Sequence, residues 1–149
     1  MTIVPATPAD LEALADMFHA DMLELGHSHG RPQLLGVARA MLESEHHLLL
    51  VGHIDGQQAG VVAASQFLSI KFPGPALWIE ELYVRPEFRR TGLGRKLVEA
   101  LVEVAEAQGI QGIELEAYRM NTAASVLYRS LGFQRLARER YSATLHHVD

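Results

Sequence analysis

The sequence predicts an α/β domain in which one mixed sheet is covered by helices, and three observations predict it. First, 149 residues with 48% apolar and 21% charged side chains, and no compositional tract, suit a single ordinary core, read as one domain over 1–149. Second, helical and strand periodicities follow one another as helix, helix, strand, strand, strand, helix, strand, helix, strand. Third, the strand that holds the only tryptophan runs through a glycine-containing loop directly into a helix.

Each element has a local cause. Beyond Ile3 and Val4, Thr7-Pro8-Ala9-Asp10 places a capping residue before a proline, and Leu11, Leu14, Phe18, Met22 and Leu25 follow at helical spacing. Gly26 to Pro32 breaks that helix, and Leu34 to Leu42 reads as a second, shorter one. His47 to Ile54 and Gln58 to Ile70 are apolar and branched, and Asp55-Gly56 between them is a hairpin turn, so an antiparallel pair is expected. After the loop at Phe72 to Pro75, Ala76 to Val84 forms a third strand.

The loop Arg85 to Gly94 then opens a helix that stripes Leu93, Leu97, Leu101, Val104 and Ala105 on one face and stops at Gly109. Ile110 to Ala117 reads as a strand. Asn121 caps a helix from Thr122 to Leu131, and Gln134 to Leu145 is expected to hold one or two final strands.

Composition excludes several chemistries. With no cysteine there is no disulfide framework, no thiolate metal site and no cysteine nucleophile. A net charge of −5 argues against a nucleic-acid binder held by phosphate contacts. No run approaches the roughly 20 apolar residues of a membrane helix, and Met1 to Asp10 lacks the layout of a signal peptide, so a cytoplasmic location without membrane attachment is expected. The charge is unevenly divided: residues 1–81 carry 10 acids and 3 bases, residues 82–149 carry 8 acids and 10 bases. Either this is solvated surface, or the second half faces an anion and the first half something neutral or cationic.

The strand-to-helix loop carries the strongest chemical signal. A helix start leaves backbone N–H groups without intrahelical partners and holds a partial positive charge, which suits phosphate oxygens. Gly92 and Gly94 clear the approach to that backbone, and Arg89, Arg90, Arg95 and Lys96 surround it. The third glycine of a dinucleotide fingerprint and the Gly-Lys-Ser/Thr of a nucleotide P-loop are both missing.

The run Ile79-Glu80-Glu81-Leu82-Tyr83-Val84-Arg85-Pro86-Glu87-Phe88-Arg89-Arg90-Thr91-Gly92-Leu93-Gly94 closely resembles the acetyl-coenzyme A signature of the GNAT N-acetyltransferase superfamily, Arg/Gln-x-x-Gly-x-Gly/Ala. Asn121, Ala124, Leu127, Tyr128 and Leu131-Gly132-Phe133 resemble that family's following segment, in the family's order and at a suitable separation. The resemblance covers nearly the whole chain. It implies the GNAT fold, a central, mostly antiparallel sheet with a splayed central strand pair, flanked by helices.

It also implies a set of site residues. Acetyl-CoA would be the co-substrate, with no metal. Backbone amides from Arg90, Thr91, Gly92, Leu93, Gly94 and Arg95 would hold its pyrophosphate, with Arg89 opening the loop. Leu82 and Val84 would pair with the pantetheine arm as with an added strand, the amides of Leu82 and Tyr83 would polarise the acetyl carbonyl, and Asn121 would hydrogen-bond the arm. Tyr128 would be the general acid at the leaving sulfur, although the same residue also reads as an aromatic sealing helix against sheet.

The acceptor amine must lose a proton before attack. Glu80 and Glu81 are the carboxylates available for this, with Glu80 favoured by its position in the diamine acetyltransferase branch, and a bulge in the strand would decide which one faces the cleft. Both could also be plain solvated strand residues. His27, His29, His46-His47 and His146-His147 lack the spacing of a zinc site and read as polar loop or edge residues, His27 and His29 lying where the family shapes its acceptor pocket.

The expected function is therefore transfer of acetyl from acetyl-CoA to a primary amine by direct attack in a ternary complex. The expected acceptor is a small cationic amine. The alternatives are acetylation of a protein N-terminus or lysine, and a noncatalytic acyl-CoA-binding sensor. A homodimer is expected from the habit of the family.

Overall fold

The computed structural model describes residues 1–146. The chain forms two compact units, one over residues 1–116 and one from Ala117 onward. The first holds strand β1 (Thr2–Pro5), helices α1 (Leu11–Glu24) and α2 (Arg31–Glu43), strands β2 (His47–Ile54), β3 (Gln57–Ser69) and β4 (Gly74–Val84), helix α3 (Leu93–Ala107) and strand β5 (Ile113–Leu115). The second holds α4 (Thr122–Ser130).

The five strands lie in the order β1-β2-β3-β4-β5, antiparallel except for the parallel pair β4 and β5. Alternation along each strand divides the core between two faces. Leu49, Val51, Val61 and Ala63 pack with Leu14, Met17 and Phe18 of α1 and Ala38 of α2. Their neighbours Leu50, Val62 and Ala64 pack on the other side with Leu93, Leu97 and Leu101 of α3. The α3 stripe read from the sequence is the buried one, except that Val98 takes the place expected for Val104. At the β2–β3 turn both Asp55 and Gly56 take positive φ, 51° and 77°, the geometry a two-residue hairpin needs.

The structure corrects the expected elements at four places. Strand β1 was not anticipated: four residues at a sheet edge, three of them exposed, are too short to show an alternation. Helix α2 begins at Arg31, because Pro32 sits in its first turn, where a missing N–H costs nothing. The strand expected over Ile110 to Ala117 shrinks to Ile113–Leu115. Gln134 to Leu145 forms no strand; all its side chains are exposed, and Arg135, Arg138, Glu139 and Arg140 leave it no apolar face.

Candidate active site

The site in the first unit begins with a one-residue irregularity. Ala63 is opposite Glu81 and Ala64 is opposite Ile79, so Glu80 is an extra residue bulged out of β4. The bulge inverts the parity of the strand. Ile79 belongs to the α3 side of the core, and beyond the bulge Leu82 and Val84 continue that side, whereas Tyr83 packs on the α1–α2 side. Glu81 shares the face of Tyr83 and meets α1.

The same stretch has an open edge. Pairing of β4 with β5 stops at Ile79 opposite Leu115, five residues before β4 ends. Arg85 N–H donates to the Ala59 carbonyl at 2.9 Å, and the register from there is one-to-one back to Glu81. Antiparallel alternation therefore turns the backbone groups of Tyr83 toward β3 and those of Leu82 and Val84 outward. The Val84 carbonyl accepts from Arg89 Nε at 2.9 Å.

A carboxylate cluster stands on the α1 side of this edge. The Glu81 carboxyl is hydrogen-bonded to Asp21 of α1, and Glu24 lies one turn further along. Burial, the Asp21 hydrogen bond and charge, and the charge of Glu24 push the Glu81 carboxyl up to about 9, only partly offset by the Leu82 N–H. Glu81 thus holds its proton at neutral pH. Tyr83 is buried beside Glu24, and its phenol is likewise raised, first by burial and then by that charge. Glu80 has different surroundings: it is exposed and accepts from Ser65 Oγ at 3.3 Å.

Asp21 and Glu24 were not identified from the sequence, although a signal exists. Leu14, Met17 and Phe18 form the buried stripe of α1, and Asp21 and Glu24 occupy the positions at which that stripe would continue. Acids that take over an apolar stripe near a helix end are being aimed at something other than solvent.

The phosphate-type loop follows β4. Arg90 adopts φ 64° and Gly92 φ 84°, so the chain makes two left-handed steps before α3 starts. Among the described residues the N–H groups of Thr91, Gly92 and Gly94 make no backbone hydrogen bond. No atom lies within 4 Å of where a Gly92 Cβ would sit, and a Gly94 Cβ would meet only Val84 Cγ2, at 3.8 Å. Free donors, a helix N-terminus and clear space in front of them fit a pyrophosphate. The fit extends to an arm running along the open edge at Leu82 and Val84.

In the second unit, Asn121 caps α4, its side-chain oxygen accepting from Ala124 N–H at 3.1 Å. Tyr128 meets the ring of Phe133 edge-on, with centroids 5.8 Å apart. Its carbonyl accepts from Phe133 N–H. Of the histidines, His27 and His29 stack at 5.5 Å in the exposed α1–α2 loop, and His47 contacts Ser44 Oγ at 2.8 Å. Among the described residues no three His, Asp or Glu side chains could hold a metal ion; His147 lies outside them.

Known proteins with this arrangement define its class. The model of the GNAT acetyltransferase family matches residues 11–133, and the chain belongs to that family. It is 31% identical over 99 residues to N-acetyltransferase family 8 member 3 of Rattus norvegicus, a match that covers 66% of this chain and 43% of the relative. It is 28% identical over 138 residues to thialysine N-epsilon-acetyltransferase of Caenorhabditis elegans, covering 91% of this chain and 84% of that one. The chain spans about half the length of the curated relatives it matches first. Among solved structures, the aminoglycoside acetyltransferase AAC(6')-Iy in complex with a bisubstrate analogue has a TM-score of 0.81 at 20% identity, covering 96% of this chain and 97% of that one, a likeness of fold. The family uses acetyl-CoA.

Proposed function

We propose that this protein transfers acetyl from acetyl-CoA to the primary amine of a small cationic acceptor by direct attack in a ternary complex. The observation that carries the reading is the position of one carboxyl. Glu81 faces Asp21 on the acidic side of α1 and directly precedes Leu82, whose backbone groups turn outward at the open edge of β4. A base so placed stands between an acceptor site and a carbonyl-polarising donor.

Bound acetyl-CoA would supply the thioester, with its pyrophosphate on the amides of Arg90 to Arg95 and its arm along Leu82 and Val84. Asp21 and Glu81 attract the ammonium of the acceptor. Its positive charge favours the ionised carboxyl, so Glu81 loses its own proton to solvent and becomes able to take one from the ammonium.

As the nitrogen–carbon bond forms and the carbon–sulfur bond breaks, the Leu82 N–H serves the carbonyl oxygen. Tyr128 is assigned, on the family resemblance, to give the leaving thiolate its proton, and Asn121 to bind the arm. We assign the base role to Glu81 rather than Glu80, whose bulged side chain is engaged by Ser65. The similarity to the nematode thialysine N-epsilon-acetyltransferase supports a small amine as acceptor. A homodimer in the cytoplasm is part of the same reading.

Thiol release from acetyl-CoA across diamines, amino acids, aminoglycosides and N-terminal peptides tests it. Turnover on small cationic amines is expected. Turnover on peptides alone would move the acceptor to protein, and CoA binding without turnover on any amine would make the protein a sensor.

A further inference from the structure

The first residue of the cofactor loop is tied to the acceptor-side helix. Arg89 Nη2 lies 2.9 Å from both Oε1 and Oε2 of Glu24, the last residue of α1. Its Nε donates to the Val84 carbonyl, and its guanidinium stands 5.5 Å from the centroid of the Tyr83 ring. One planar cation therefore joins α1, the end of β4 and the turn that leads into α3. Immediately after it the backbone enters the left-handed region at Arg90.

We propose that Glu24 is a positioning residue for the acetyl-CoA loop, acting through Arg89. The proposal rests on the reading of that loop as the acetyl-CoA site. Arg89 is half-exposed, and a lone exposed ion pair would fix little. Here the guanidinium is held on three sides, by a carboxylate, a carbonyl and an aromatic face, and such a group has one geometry rather than many. With Arg89 fixed, the amides that follow it are presented to the pyrophosphate in a preset arrangement, which lowers the ordering cost of binding.

This role differs in sign from simple electrostatics. Glu24 is a negative charge near a site for a polyanion, so as a bystander its removal would tighten CoA binding. As a strut, its removal weakens it. Glu24→Gln keeps the size of the side chain and loses the charge-assisted bonds; CoA measured by calorimetry is expected to bind roughly tenfold more weakly.

Arg89→Lys retains the charge but cannot reach carboxylate, carbonyl and ring together, and a similar loss is expected. In the double variant the two losses should not add, because both remove one connection. Equal or tighter CoA binding by Glu24→Gln, or losses that add fully, would overturn the proposal while leaving the loop assignment intact. A wild-type protein that does not bind CoA would overturn both.

Discussion

Leu93, the residue between the two glycines of the loop, stands so close over Gly52 that a Cβ there would lie 2.6 Å from Leu93 Cδ1. Gly52 is opposite Gly60 in the β2–β3 register, and a Cβ on Gly60 would meet Leu93 Cδ2 at 3.1 Å and the Tyr83 carbonyl oxygen at 2.8 Å. Two facing glycines make a dent in the sheet, and the first residue of α3 drops into it. The dent sets how near the start of α3 comes to the end of β4.

The two glycines are expected to respond differently to alanine. At Gly60 the obstacle is backbone, so Gly60→Ala should destabilise by about 1–3 kcal/mol in urea unfolding. At Gly52 the obstacle is the movable end of a side chain. Gly52→Ala should cost less stability but displace Leu93, weakening CoA binding several-fold, and Leu93→Val in the same chain should recover part of the loss. Equal destabilisation by the two alanines would contradict the distinction.

Glu81 makes stability depend on pH in a defined direction. Its carboxyl is raised from an ordinary 4.5 to about 9 in the folded protein, so between those values the folded state holds a proton the unfolded state has released. The stability associated with this site is full below about pH 4.5 and is lost progressively as the pH rises through about 9. Glu81→Gln removes that slope, and urea midpoints at pH 5, 7 and 9 should show it as a gain over wild type at the high end. Turnover should fall roughly 100-fold or more in the same variant. A variant with wild-type turnover would pass the base role to another group.

The local backbone features around this site are legible in the sequence. The loop from Arg89 to Gly94, the hairpin at Asp55-Gly56 and the α3 stripe are local patterns, and local patterns survive folding. The strand face was not legible. Whether Glu80 or Glu81 meets α1 depends on one inserted residue opposite Ala63 and Ala64, and a bulge leaves no signature in the residue types of the strand. Asp21 and Glu24 were missed for a related reason: their partners, Glu81 and Arg89, lie sixty or more residues away. The expected strands over Gln134 to Leu145 failed because branched and aromatic residues there are interrupted by charge.

Gly92 tests the phosphate reading without touching the acidic cluster. Its φ of 84° suits glycine, and the space before it is open. Gly92→Ala should therefore cost only the left-handed conformation, about 1 kcal/mol, with modest loss of CoA affinity. Gly92→Glu puts a carboxylate in that space and should abolish CoA binding in calorimetry while the fold, followed by circular dichroism, persists. A folded Gly92→Glu protein that binds CoA normally would dismiss the loop as the pyrophosphate site.

Tyr128 separates chemistry from binding. Its ring meets Phe133 edge-on, a contact Tyr128→Phe preserves, so the variant should fold and keep CoA affinity within about twofold of wild type. If the phenol gives the thiolate its proton, kcat should fall roughly 10- to 100-fold with little change in KM for acetyl-CoA, the pattern of a group that acts on the transition state alone. Amines of decreasing basicity sharpen the comparison: the loss should persist across the series, because the missing proton belongs to the leaving group and not to the nucleophile. A wild-type rate would remove Tyr128 from the reaction and leave it as a packing residue of α4.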